Sequence, residues 1–137
     1  MKLSEHQIKE IAELLDSGMI CYIHKETGEI KSIIDPDDIY GDTEFWEEEL
    51  EEIEQNIEKY LKIEKMPPEK SFRIMEEFTA EVSDRDVRAR LEYALNSSKP
   101  FRNFKYEVSY NEIIRQSWFK FKSRKYEEWV KNYLNGK

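Results

Sequence analysis

The chain has 137 residues, 30 acidic against 22 basic side chains for a formal charge of −8, and one cysteine, Cys21. That length closes a core without a covalent staple, and a lone cysteine excludes an intramolecular disulfide and a Cys-based zinc site. With 38% charged and 13% aromatic residues, the composition is that of a packed globule rather than a disordered or collagenous chain. The acidity disfavours non-specific binding of nucleic acid or anionic membrane by the whole surface.

The first ten residues contain no apolar core segment of the signal-peptide kind. The longest apolar run, 19–23, is too short to span a bilayer. The expected location is therefore the cytoplasm, with which a free thiol is compatible. Residues 4–17 read as a helix, with Ser4 and Gln7 as a capping box and Ile8, Ile11, Ala12 and Leu15 on one face. Gly18 stands where a left-handed C-terminal cap belongs. Residues 19–24 and 29–34 read as two strands of a hairpin turning through Glu26, Thr27 and Gly28. The Asp35-Pro36-Asp37-Asp38 stretch ends the second strand.

Residues 43–57 read as an acidic helix with Trp46, Leu50, Ile53 and Ile57 on one stripe. A third strand is expected over 59–64. Pro67-Pro68 then opens a helix whose apolar face is Phe72, Met75, Phe78 and Val82. Ser83 with Asp86 offers a second capping box, ahead of a helix that buries Val87, Leu91, Ala94 and Leu95. Asn96 to Pro100 breaks it. Residues 101–109 fit either a helix or a strand. Residues 111–134 read as one long helix or two abutting ones. Its stripe of Ile114, Trp118 and Phe121 continues through Tyr126, Trp129, Val130 and Tyr133 with a phase shift. No internal repeat or linker marks a boundary, so a single domain over 1–137 is expected. Its class is α+β: a small antiparallel sheet of about three strands in the first half and a predominantly helical second half.

Charge is unevenly spread. Residues 1–98 hold 12 basic and 26 acidic side chains, net −14, whereas residues 99–137 hold 10 and 4, net +6. Charge runs of this kind are usually solvated faces. The alternatives are a basic segment that contacts phosphates and an acidic helix that docks a basic partner.

Chemistry-bearing patterns are sparse. His6 and His24 are the only histidines and show no metal-ligand spacing. Cys21 and His24 lie three apart on a strand, so they point to opposite faces and make a poor nucleophile–base pair. No Gly-rich phosphate loop and no nucleophile elbow occur. Asp16 with Glu29-Ile30-Lys31 is the nearest approach to a Mg²⁺-nuclease pattern, and so short a pattern arises by chance in so charged a chain. No catalytic residue, metal site or cofactor is assigned. The most distinctive stretch is Pro100-Phe101-Arg102-Asn103-Phe104-Lys105-Tyr106, where aromatics and cations interleave. On a helix an apolar edge would lie beside a basic one. Such a segment can stack bases and neutralise phosphates, or its phenylalanines can be core flanked by cations.

The order of several segments resembles a known family. Arg73-Ile74-Met75-Glu76-Glu77-Phe78 is followed by Val87-Arg88-Ala89-Arg90-Leu91 and Ala94-Leu95. Phe101-Arg102-Asn103-Phe104-Lys105, Trp118-Phe119-Lys120-Phe121 and Trp129 complete it. The pattern is similar to that of uncharacterised protein family 0158, small bacterial proteins, from about Ile8 to Leu134. The resemblance implies a compact bacterial domain and brings no reaction or catalytic residues with it.

The reading that follows is a non-enzymatic protein-binding or adaptor module with an unidentified protein partner. The alternative is a nucleic-acid-associated protein using the basic C-terminal segment, and the distant alternative is a metal-dependent hydrolase. The binding residues expected are Arg88, Arg102, Lys105, Arg115, Trp118 and Lys122, with no membrane association and no stated oligomeric state.

Overall fold

The computed structural model describes residues 2–34 and 47–136. The Asp35-Pro36-Asp37-Asp38 stop, the 43–46 start of the acidic helix and Trp46 lie outside them. The chain divides into two compact units, residues 1–65 with 126–137, and residues 66–125.

The first unit opens with α1 (Glu5–Asp16), and its capping box is the expected one: Gln7 N–H donates to Ser4 Oγ at 3.1 Å and Ser4 N–H to Gln7 Oε1 at 2.9 Å. Gly18 follows with φ +93°, a conformation that only glycine adopts without strain. Strands β1 (Met19–His24) and β2 (Ile30–Ile34) form the expected hairpin, with Ile20 opposite Ile33 and Tyr22 opposite Lys31. The His24 ring completes the turn, because its Nδ1 accepts the N–H groups of Glu26 and Thr27, both at 3.2 Å. Strand β3 (Tyr60–Ile63) pairs antiparallel with the other edge of β1, giving the order β2-β1-β3.

Because side chains alternate across a strand, β1 feeds two cores. Cys21 and Ile23 join Ile8, Ile11, Leu15, Ile63 and Val130 on one face, while Ile20 and Tyr22 join Ile33, Ile53 and Tyr60 on the other. Helix α2 (Glu47–Gln55) closes the second face through Ile53 and Leu50. It ends two residues earlier than its periodicity predicts. At its end the Asn56 backbone N–H is shared between the Glu52 and Ile53 carbonyls, both at 3.2 Å, and Asn56 Nδ2 adds a second bond to the Glu52 carbonyl at 2.9 Å. Ile57 thus falls in a 3₁₀ turn, exposed, and leaves the apolar stripe assigned to it.

The second unit holds α3 (Pro68–Glu81), α4 (Arg85–Leu95), α5 (Pro100–Ser109) and the first half of α6 (Glu112–Asn135). Its core is aromatic. Phe78 lies edge-on to Phe104 at 6.4 Å and to Trp118 at 5.3 Å, and Phe104 to Trp118 at 4.9 Å. Phe121 closes the group at 5.5 Å from Phe78. Ile74 and Thr79 are buried beside the expected Met75, Phe78 and Val82, whereas Phe72 and Val87 are half-buried. The Thr79 hydroxyl stays satisfied by donating to the Met75 carbonyl at 2.8 Å. The cap of α4 differs from the expected one: Asp84, not Ser83, accepts from Asp86 N–H at 3.0 Å and Val87 N–H at 3.2 Å. The ambiguous segment 101–109 is helix α5. The long C-terminal segment is one helix, and the phase shift in its stripe falls where its residues pass from the second unit to the first. The class is α+β, with a three-stranded antiparallel sheet early and a helical second half.

Two substitutions check this packing by urea unfolding. Phe104→Ala is expected to cost about 3–5 kcal/mol because the ring is 1% exposed, and Phe101→Ala much less because that ring is 45% exposed. Equal effects would overturn the assignment. At the α4 cap, Asp84→Ala is expected to cost about 1 kcal/mol and Ser83→Ala nothing measurable.

Candidate functional site

Helix α5 separates its residues cleanly. Phe104 and Val108 are buried, while Arg102, Lys105, Tyr106 and Ser109 recur at helical spacing on an exposed stripe. With Asn103 they line an open surface hollow of about 740 Å³. Arg102 and Lys105 form no ion pair among the described residues. Tyr106 is 59% and Tyr110 66% exposed, and their rings meet edge-to-face at 4.8 Å. The Tyr110 hydroxyl donates to that of Tyr106. This bond, followed by partial desolvation, holds the Tyr110 phenol above the ordinary tyrosine value.

A second hollow, of about 490 Å³, lies between α3 and α5. Phe72 and Phe101 wall it, with ring centroids 6.3 Å apart, and Glu69, Arg73 and Glu76 stand around them. Both hollows belong to residues 66–125.

The two units differ in charge as well as in packing. Residues 66–125 hold 13 basic and 9 acidic side chains, net +4, and the remainder holds 9 and 21, net −12. Among the described residues, six of the seven exposed large hydrophobic side chains are in the basic unit. These include Tyr93, Tyr106 and Tyr110. The one exception is Ile57.

Of the six residues expected from the sequence, the structure brings Arg102 and Lys105 together on α5. Arg88 is held within its own neighbourhood, with Nη1 donating to the Val82 carbonyl at 3.5 Å and Nε 3.8 Å from Glu92. Arg115 makes a two-pronged contact with Glu112 at 2.7 and 2.9 Å, which holds that carboxyl below its ordinary value. Trp118 is core. Lys122 lies over the rings of Trp118 and Phe119, at 5.8 and 5.3 Å. Sequence reasoning missed Phe72, Tyr106, Ser109 and Tyr110. The available signal was the recurrence Arg102, Lys105, Tyr106, Ser109, legible only once 101–109 is read as helix.

Of the nuclease-like pattern in the first unit, Lys31 is taken up by an ion pair. Lys31 Nζ sits 2.5 Å from Glu52 Oε2 and 5.9 Å from the Tyr60 ring centroid. The Lys31–Glu52 hydrogen bond raises the lysine and lowers the glutamate. His24 Nδ1 is occupied by the hairpin turn. Among the described residues, no group of three His, Cys, Asp or Glu side chains is placed to hold a metal ion. Cys21 is fully buried, and burial, then the charge of Glu10, pushes its thiol up to about 12, so it is no nucleophile at neutral pH.

The Tyr106–Tyr110 pair predicts a pH signature. The folded Tyr110 value is raised, so its contribution to stability is complete below the ordinary tyrosine pKa and is lost as pH rises through the raised one. In a phenolate absorbance titration, the component removed by Tyr110→Phe should appear above the ordinary tyrosine range. It should return to that range in Tyr106→Phe.

No described helix is long and apolar enough to cross a membrane. No solved structure matches the chain. The chain is 29% identical over 82 residues to the UPF0158 protein PA5073 of Pseudomonas aeruginosa, a match that covers 60% of this chain and 54% of that protein. The chain thus spans about half the length of that relative. The model of the uncharacterised protein family UPF0158 matches residues 1–137, and the chain belongs to that family.

Proposed function

We propose that the chain is a non-enzymatic protein-binding module that docks its partner on the α5 face of residues 66–125. One observation carries this reading: Arg102 and Lys105 stand without ion-pair partners among the described residues, beside exposed Phe101, Tyr106 and Tyr110. Tyr, Phe and Arg are the side chains enriched at the centres of protein interfaces, where one rigid ring supplies area at low entropic cost. Folding of the unit does not account for the exposed rings, since its core is complete with Phe78, Phe104, Trp118 and Phe121.

A second reading, nucleic-acid association, draws support from the net +4 of the same unit. Interleaved cations and rings are the usual furniture of single-strand binding. Against it stand Glu69 and Glu76, which line the hollow beside Phe101 in the same unit and oppose a phosphate there.

A photo-crosslinking amino acid at position 106, in living cells, separates the two readings. The expected product is an adduct of discrete mass that resists nuclease, is digested by protease and is largely lost in Arg102→Ala/Lys105→Ala. The same probe at the exposed Glu81 position should give no such adduct. A nuclease-sensitive adduct would establish the second reading, and indistinguishable products from positions 106 and 81 would overturn both.

A further inference from the structure

We propose that the partner segment is an acidic peptide carrying one apolar anchor side chain, with the anchor seated against the paired rings of Phe72 and Phe101 and the acids on Arg102 and Lys105. This rests on the protein-binding reading above and adds the chemistry of the partner. The shallow hollow between α3 and α5 is walled by two rings in edge-to-face contact, so an apolar surface stands ready for an anchor. Its lining is chiefly apolar, from Pro68, Phe72 and Phe101. Glu69 and Glu76 outnumber Arg73 around it, so an uncharged side chain is favoured there over an anionic one.

The charge preference reverses within one helical turn. Arg102 follows Phe101 directly, and Lys105 lies about 6 Å from Phe101 along the α5 axis. Both cations have unsatisfied charge among the described residues, and carboxylates are their complement. About 6 Å corresponds to roughly two residues of an extended peptide. An anchor and its acids can therefore come from neighbouring positions in one short segment. A nucleic acid fits this alternation poorly, since every nucleotide carries a phosphate and the hollow is flanked by carboxylates.

Fluorescence anisotropy with the full chain tests the proposal. The probes are a fluorescein-labelled peptide with one leucine followed by a run of glutamates, a twin with serine in place of the leucine, and an oligothymidylate of matching length. The leucine peptide should bind about tenfold more tightly than its twin. Phe101→Ala should abolish that difference, while Arg102→Ala/Lys105→Ala should weaken both peptides and flatten their salt dependence. Phe101 is already half exposed, so its variant is expected to stay folded, which circular dichroism verifies. Equal binding of the twins, tighter binding of the oligothymidylate, or no binding of any probe would overturn the proposal. If no peptide binds while the adduct at position 106 persists, the partner chemistry fails and the protein-binding reading stands.

Discussion

Strand β1 has hydrogen-bonded neighbours on both edges and buried side chains on both faces. Four of its six residues are buried in consequence, and every other element of the first unit is placed by reference to it. Its odd-numbered inner residues, Cys21 and Ile23, fix α1 and the end of α6, and its even-numbered ones, Ile20 and Tyr22, fix α2. A one-residue slip in register would exchange these sets and bring the wrong volumes to both cores. The hairpin resists that slip through local chemistry. Gly28 takes φ +75°, His24 caps the turn, and Gln7 Nε2 donates to the Gly28 carbonyl at 3.4 Å. A helix cap and a strand turn thus share one side chain.

The second unit is organised by a different rule. Four aromatic rings fill its centre in edge-to-face and tilted contacts, which leaves no room there for the remaining rings of α5. The boundary between buried and exposed is drawn within a single helix, so residues of similar chemistry acquire opposite roles. Phe104 organises the core and Phe101 meets solvent three residues earlier. Cations follow the same division. Lys125 pairs with Glu77 at 3.1 Å and Arg124 lies over the Phe121 ring at 5.2 Å, while those on the outer stripe of α5 point away from the core. The balance of the chain's charge is accordingly a property of units rather than of the whole surface. A net of −8 conceals a basic body of residues 66–125.

What was legible in the sequence was local. The Ser4–Gln7 box, Gly18, the hairpin, β3 and the Pro68 start depend on neighbouring residues, and each is found where expected. Errors arose where two local signals competed. Ile57 has helical spacing, but at Asn56, whose side chain bonds back to the Glu52 carbonyl, the chain passes into a 3₁₀ turn. Ser83 and Asp84 are both good caps, and the choice between them depends on how the chain enters α4. In α5, Phe104, Tyr106, Val108 and Tyr110 alternate as a strand would, while Phe101, Phe104 and Val108 recur as a helix would. Burial of Phe104 against Phe78 and Trp118 decides between them, and that is a tertiary fact. The candidate surface was half legible for the same reason. The cations beside Phe101 could be found by type and spacing, but which tyrosines face solvent depends on which rings have filled the core. Arg115, by contrast, had its Glu112 partner visible at a spacing of three.

The isolation of Cys21 has a practical consequence for work on this protein. A thiol that is fully buried and pushed up to about 12 is scarcely ionised at neutral pH, and it is out of reach of maleimides and of mild oxidants. A single cysteine introduced on the surface would therefore be the only one to label. Spin probes or fluorophores can be attached at chosen positions without first removing the native residue, leaving the β1 core intact.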